Sequence, residues 1–242
     1  MKLYSSIVLV FFMFGSHITT AQEESFPCKE ANPSLKKIFT GETLENLYVH
    51  NCYGSGLQAM SSSYLKAGGP APKIIAYEDE IPDDEAYVAW TCKYSMGNIG
   101  DDDPATTWVE GVDGYGVGEV LIVPCLDLTH PVKIWAGYGK SADSFINNSR
   151  PKQVRLIIIQ AEVEGETQYG TIYKNLRMVS QTLVELNDVN DYQSLKTPYY
   201  KASSYEFEPE KRDYTYFLGL EILNVYKGNK WDDTCISEIR NE

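Results

Sequence analysis

From residue 86 onward, apolar and polar residues alternate in short runs, and turn-forming residues separate the runs. Residues 86–93 (AYVAWTCK), 118–123 (GEVLIV), 132–136 (VKIWA) and 153–160 (QVRLIIIQ) each have the two-residue period or β-branched content of a strand. Residues 161–168 carry Glu164-Gly165-Glu166, which reads as a hairpin turn. Residues 171–179 and 181–186 predict two more strands, and the polar stretch 187–197 predicts a loop. Residues 215–226 (TYFLGLEILNVY) alternate again, and 235–240 (CISEIR) close the chain. Many short strands with Gly, Pro, Asn and Asp between them predict an all-β antiparallel sandwich. Spacing alone does not separate an immunoglobulin sandwich from a jelly roll.

The pattern before residue 86 is different. SLKKIF and TLENLYVHN, on either side of Thr40-Gly41, read as two short helical turns. Ser61-Ser62-Ser63 and residues 67–72 are loop chemistry, and residues 73–77 (KIIAY) predict a short strand. Residues 78–85 (EDEIPDDE) form an acidic run suited to a solvated linker. At the start, Met1-Lys2-Leu3 precedes a nine-residue apolar run (SIVLVFFMF), and Thr19 and Ala21 are small residues placed for cleavage. This predicts a secretory signal peptide, too short for a membrane span. The expected organisation is a signal peptide over 1–21, a small mixed N-terminal extension over 22–85 and a β-sandwich over 86–242. The expected location is secreted, periplasmic or at the cell surface.

Composition narrows the function. The chain has 242 residues and a net charge of −13, with a pI near 4.7. Such an acid excess argues against non-specific nucleic-acid binding or a polybasic membrane contact. Its 18 tyrosines suit half-buried strands and wet binding faces. Export makes disulfides the expected fate of the five cysteines, and no spacing here suits zinc. Cys28 and Cys52 bracket one compact segment and are the first choice for a bridge. Cys92, in the first predicted strand, and Cys235, entering the last, form a second candidate pair, since those strands often neighbour in a jelly roll. Cys125, in an apolar strand, is then a buried free thiol. After the leader only His50 and His130 remain, and no G-x-S-x-G nucleophile motif exists. A glycosidase carboxylate pair, Glu110 with Glu238, is the enzymatic alternative. The glycines between 111 and 118 lie in no βαβ unit, so a dinucleotide loop is rejected.

Three segments carry a family likeness. Asp101-Asp102-Asp103-Pro104-Ala105-Thr106-Thr107-Trp108-Val109-Glu110-Gly111 leads into Gly114-Tyr115-Gly116-Val117-Gly118-Glu119. Ile134-Trp135-Ala136-Gly137-Tyr138-Gly139-Lys140-Ser141 leads into Asn147-Asn148-Ser149-Arg150-Pro151-Lys152. Val225-Tyr226-Lys227-Gly228 leads into Trp231-Asp232-Asp233-Thr234-Cys235-Ile236-Ser237-Glu238-Ile239. Together they resemble the discoidin-like glycan-binding module attached to secreted bacterial NAD glycohydrolases, a galactose-binding-like jelly roll. The resemblance covers about 86–242 and implies a non-catalytic carbohydrate-binding domain. A protein-interaction or structural module on the same fold is the alternative.

Sugars offer a C–H face to an aromatic plane and a rim of hydroxyls to Asn, Asp, Glu and Arg. Candidate ligand residues are Trp108, Glu110, Tyr115, Tyr138, Asn147, Asn148, Arg150 and Trp231. In the family pattern Trp108 looks more like a core residue beneath a loop. Arg150 reads equally as an ion-pair partner of Glu110 or Glu119, and Glu238 as another such partner. Asp101, Asp103, Asp232 and Asp233 are candidate ligands for a structural calcium. Their alternative reading is a set of solvated Asp turns. The partners expected are glycans or glycoconjugates, or a protein, with no nucleic acid and no membrane span in the mature chain.

Overall fold

The computed structural model describes residue 28 and residues 30–52, 59–73 and 85–242. The predicted signal peptide, most of the predicted 73–77 strand and nearly all of the acidic linker lie outside the described residues. In chain order the strands are β1 (Leu44–His50), β2 (Met60–Ser61), β3 (Trp108–Val109), β4 (Val120–Val123), β5 (Val132–Trp135), β6 (Arg150–Glu166), β7 (Gly170–Glu185), β8 (Gln193–Leu195), β9 (Ser204–Phe207), β10 (Glu210–Asp213), β11 (Thr215–Tyr226), β12 (Cys235–Ile236) and β13 (Glu238–Asn241). The α-helices are short: α1 (Lys36–Phe39), α2 (Glu85–Thr91) and α3 (Ala142–Asn147).

Six strands form the main antiparallel sheet in the order β1-β7-β6-β11-β4-β2. A three-stranded sheet, β13-β5-β8, and the pairs β12-β3 and β10-β9 complete the all-β jelly-roll sandwich. The apolar runs in β4, β6 and β11 are continuous because these central strands are covered on both faces. From one face Leu121, Val123, Val154, Leu156, Ile158, Leu218, Leu220 and Ile222 meet Trp108, Val132, Ile134, Ile236 and Ile239 of the smaller sheets. From the other, Val120, Ile122, Ile157, Ile159 and Phe217 meet Leu35, Ile38, Phe39, Leu47, Val49 and Met60 of the N-terminal segment. Successive side chains point to opposite faces, so a sheet covered twice needs apolar residues at every position. Gly219 makes room for the cover: a Cβ there would stand 2.8 Å from Phe39 Cζ.

The N-terminal segment therefore shares the sheet with the sequence after it. SLKKIF forms a 3-10 turn and α1, as predicted. TLENLYVHN does not form a helical turn. Leu47 and Val49 are buried alternately, and β1 adds to β7 from Leu44↔Leu176 to His50↔Gly170. An open strand edge outweighs the weak local preference for helix. The reverse occurs at 86–93, where the predicted strand has become α2. With no strand partner beside it, the same alternation satisfies its backbone locally, and Trp90 donates to the Gly68 carbonyl.

Two hairpin details also differ. Glu164-Gly165-Glu166 is not the turn: β6 runs through it, and Gly165 sits at a register shift against β7. The turn falls at residues 167–169, held by the Thr167 hydroxyl accepting from Tyr169 and Gly170. The two strands predicted over 171–186 are the single strand β7. Part of the polar loop pairs with β5 as β8.

The cysteine pairing is corrected as well. Cys52 bonds to Cys125, with Cα atoms 5.7 Å apart. Cys28, Cys92 and Cys235 are free thiols, so neither Cys28–Cys52 nor Cys92–Cys235 forms. Cys92 follows a helix rather than a strand, and Cys235 is enclosed in β12 opposite Val109. Cys52 follows an edge strand, while Cys125 follows a strand near the other edge. The curl of the sheet brings their positions together.

Candidate functional site

Three connections meet at one end of the sandwich: 110–119 between β3 and β4, α3 with its C-terminal turn, and 227–234 between β11 and β12. The first is shaped by glycine. Gly116 has φ 64°, and a Cβ there would lie 2.4 Å from Glu110 Cγ, so this position requires glycine. α3 starts at Ser141, whose side chain accepts from Ser144 N–H. It ends at Asn148, whose amide donates back to the Ser144 carbonyl.

The third connection is fastened to the other two by backbone bonds and by the Ser149 and Thr234 hydroxyls. The Asn147 carbonyl accepts from Lys230 and Trp231 N–H at 3.1 and 2.8 Å. Buried Ser149 accepts from Gly228 N–H at 3.0 Å and donates to the Trp231 carbonyl at 3.1 Å. The Thr234 hydroxyl donates to the Tyr115 carbonyl at 2.8 Å. These bonds set two aromatic side chains at the loop end. Trp231 is 49% exposed with Lys230 Nζ 4.8 Å from its ring centre. Tyr115 is half-buried with Lys227 Nζ 4.5 Å from its ring centre. Val112, Val117 and Ile146 add exposed apolar surface to the same connections. The result is a mixed aromatic, aliphatic and charged face, with Lys227 and Lys230 beside the rings and exposed Asp113 and Asp232 on the same connections.

The remaining predicted residues are placed as follows. Trp108 is fully buried and donates to the Ser63 carbonyl; it holds the loops from beneath. Glu110 is also fully buried, accepting from Val112 and Thr234 N–H. Burial pushes its carboxyl up to about 7, against the pull of those two bonds. Arg150 pairs with Asp188, not with Glu110 or Glu119, at 2.5 and 2.7 Å. It lies between the Phe145 and Tyr226 rings. Sequence proximity pointed to the wrong carboxylates because Asp188 arrives from the loop after β7. Tyr138 is half-buried, its hydroxyl pushed up by burial, with Tyr94 and Cys235 nearby. Asn147 contributes its carbonyl to the loop, and Asn148 closes a helix.

Sequence reasoning missed Lys227, Lys230, Ser149 and Thr234. The lysines carried a signal, each lying within a few residues of an aromatic in a turn. Ser149 and Thr234 carried none, since their role exists only once two distant connections meet.

The acidic residues form two separate sets. Asp101 accepts from Asp103 N–H and the Thr106 hydroxyl, Asp103 from Ala105 N–H, and Asp102 pairs with Arg240. These are Asp turns. Buried Glu238 faces them, accepting from Asp103 N–H through Oε1, while Oε2 has no partner. Burial, with Asp101 close by, pushes the Glu238 carboxyl up to about 8. Asp232 and Asp233 lie in the other loop, and burial raises Asp233. Among the described residues no three His, Cys, Asp or Glu side chains converge to hold a metal ion. The four-aspartate calcium set does not assemble. Glu110 accepts from Val112 and Thr234 N–H, whereas Glu238 accepts from Asp103 N–H, so different neighbours hold the two carboxyls.

No curated protein matches the chain. Among solved structures, it is similar to a Ruminococcus gnavus GH29 fucosidase in complex with fucose, at 13% identity and a TM-score of 0.28. That similarity covers 77% of this chain and 26% of the fucosidase. Residues 83–242, which contain all three connections of the loop face, match the family described as the NAD glycohydrolase translocation F5/8 type C domain. The chain belongs to that family.

Proposed function

We propose that this protein is a secreted, non-catalytic module that binds glycans through the face formed by Tyr115, Trp231, Lys227 and Lys230. The observation that carries this reading is the pairing of the exposed Trp231 ring and the half-buried Tyr115 ring each with a lysine, on loops fastened by hydrogen bonds. An aromatic plane accepts the C–H face of a sugar ring, and a fixed loop lowers the ordering cost of binding. The two ammonium groups favour a glycan bearing a carboxylate or sulfate. Family membership supports an accessory rather than a catalytic role. The Cys52–Cys125 bond supports export to an oxidising compartment.

The test is binding of the exported protein to immobilised glycans, with competition by free saccharide. Binding that a soluble acidic saccharide displaces supports the reading. A second reading rests on the exposed Val112, Val117 and Ile146, which suit an apolar protein partner. Binding to cell-surface material that no saccharide displaces favours that alternative.

A further inference from the structure

Cys28 and Cys92 are far apart in sequence and adjacent in space. Cys28 Sγ lies 3.9 Å from the Tyr64 hydroxyl; Leu65, next to Tyr64, donates to the Val109 carbonyl, and Val109 donates to the carbonyl of Tyr94, two residues after Cys92. Burial and the neighbouring Cys28 thiol push the Cys92 thiol up to about 12. Both thiols are half-buried, so a small oxidant reaches them; Cys235, fully buried, is out of reach. Cys92 is held from its own side by α2, its N–H donating to the Val88 carbonyl. Cys28 comes from the N-terminal segment and Cys92 from the family-matched region. That is the same relation as between Cys52 and Cys125.

We infer that Cys28 and Cys92 form a second disulfide that clasps the N-terminal cover to the family domain. The step is a thiol–disulfide exchange with a donor of the glutathione-disulfide class. The two thiols give up two protons and two electrons, one S–S bond forms between Cys28 and Cys92, and the donor is reduced to two thiols. The consequence is mechanical. The cover that buries Ile157, Ile159 and Phe217 is stitched down near both of its ends once the protein reaches an oxidising compartment. In a reducing one it is held by packing, hydrogen bonds and the Lys36–Glu119 ion pair.

The full chain is equilibrated in a glutathione redox buffer, denatured without reductant, and alkylated with a maleimide. Intact mass is expected to show one labelled thiol, Cys235, and peptide mapping a Cys28–Cys92 linked pair. Three labelled thiols, or Cys28 linked to any other cysteine, would overturn the inference. Cys28→Ser and Cys92→Ser should each lower Tm by about 10 °C under oxidising conditions. The double variant should fall no further, and all should converge with the wild type in excess reductant. Additive losses would show that the two thiols act separately and would also overturn it. Glycan binding takes no part in any of these readouts, so failure of the proposed function leaves this test intact.

Discussion

Lys36 of α1 forms an ion pair with Glu119, a carboxylate only 2% exposed at the foot of β4. Glu119 also accepts from the Ser62 hydroxyl at 2.6 Å. Both donors belong to the N-terminal segment, so the cover is joined to the sheet by charge as well as by packing. Burial pushes the Glu119 carboxyl up, but the bonds from Lys36 and Ser62 outweigh it and hold the group below its usual value. This contribution is present above the unfolded pKa near 4.5 and is lost as pH falls through the folded value. Lys36→Met is expected to cost about 1–3 kcal/mol in urea titrations at pH 7. The loss should shrink below pH 4; a loss of equal size at both pH values would assign it to the lysine's apolar stem.

Glu238 and Glu110 act with the opposite sign. Their folded values, about 8 and about 7, lie above the unfolded 4.5. Their stabilising contribution is complete below pH 4.5 and is lost as pH rises through the folded values. Stability should decline between about pH 5 and 8. Glu238→Gln keeps the acceptor for Asp103 N–H and removes the ionisation, so it should gain about 1–2 kcal/mol over wild type at pH 8.5 and little at pH 5. A gain of equal size at both would contradict a protonated Glu238.

The Cys52–Cys125 bond closes a span of 73 residues. Loop-closure entropy for that length gives about 4 kcal/mol. The double change of Cys52 and Cys125 to Ala should lower ΔG of unfolding by that amount, read by guanidinium titration.

The cover is expected to be obligatory although the family match begins at residue 83. Ile38 is fully buried against the outer face of the sheet. Ile38→Ala should cost about 2–5 kcal/mol. A chain beginning at residue 83 would expose Ile157, Ile159 and Phe217, and is expected to associate in size-exclusion chromatography with light scattering.

β11 was legible to the residue, because residues 215–226 combine period-two alternation with flanking turns. The double burial was visible only as unbroken runs such as VLIV, whose second cover cannot be named from the run itself. The segments misread, 86–93 and TLENLYVHN, are short enough that tertiary context decides between helix and strand. In the site, Tyr115 and Trp231 were legible as aromatics in glycine- or aspartate-rich turns. Lys227 and Lys230 sat beside them unread, because the rings drew the argument. The Arg150–Asp188 pair and the Cys52–Cys125 bond were not legible, since each joins segments that only the curl of the sheet brings together.

Glycan binding by the loop face is tested most directly by a glycan array of the protein beside Trp231→Ala and Tyr115→Ala, each shown by its melting curve to be folded. Selective binding by the wild type, enriched in acidic saccharides and weakened at least tenfold in both variants, is the expected result. A blank array for the folded wild type, or selective binding that both variants retain in full, would contradict it.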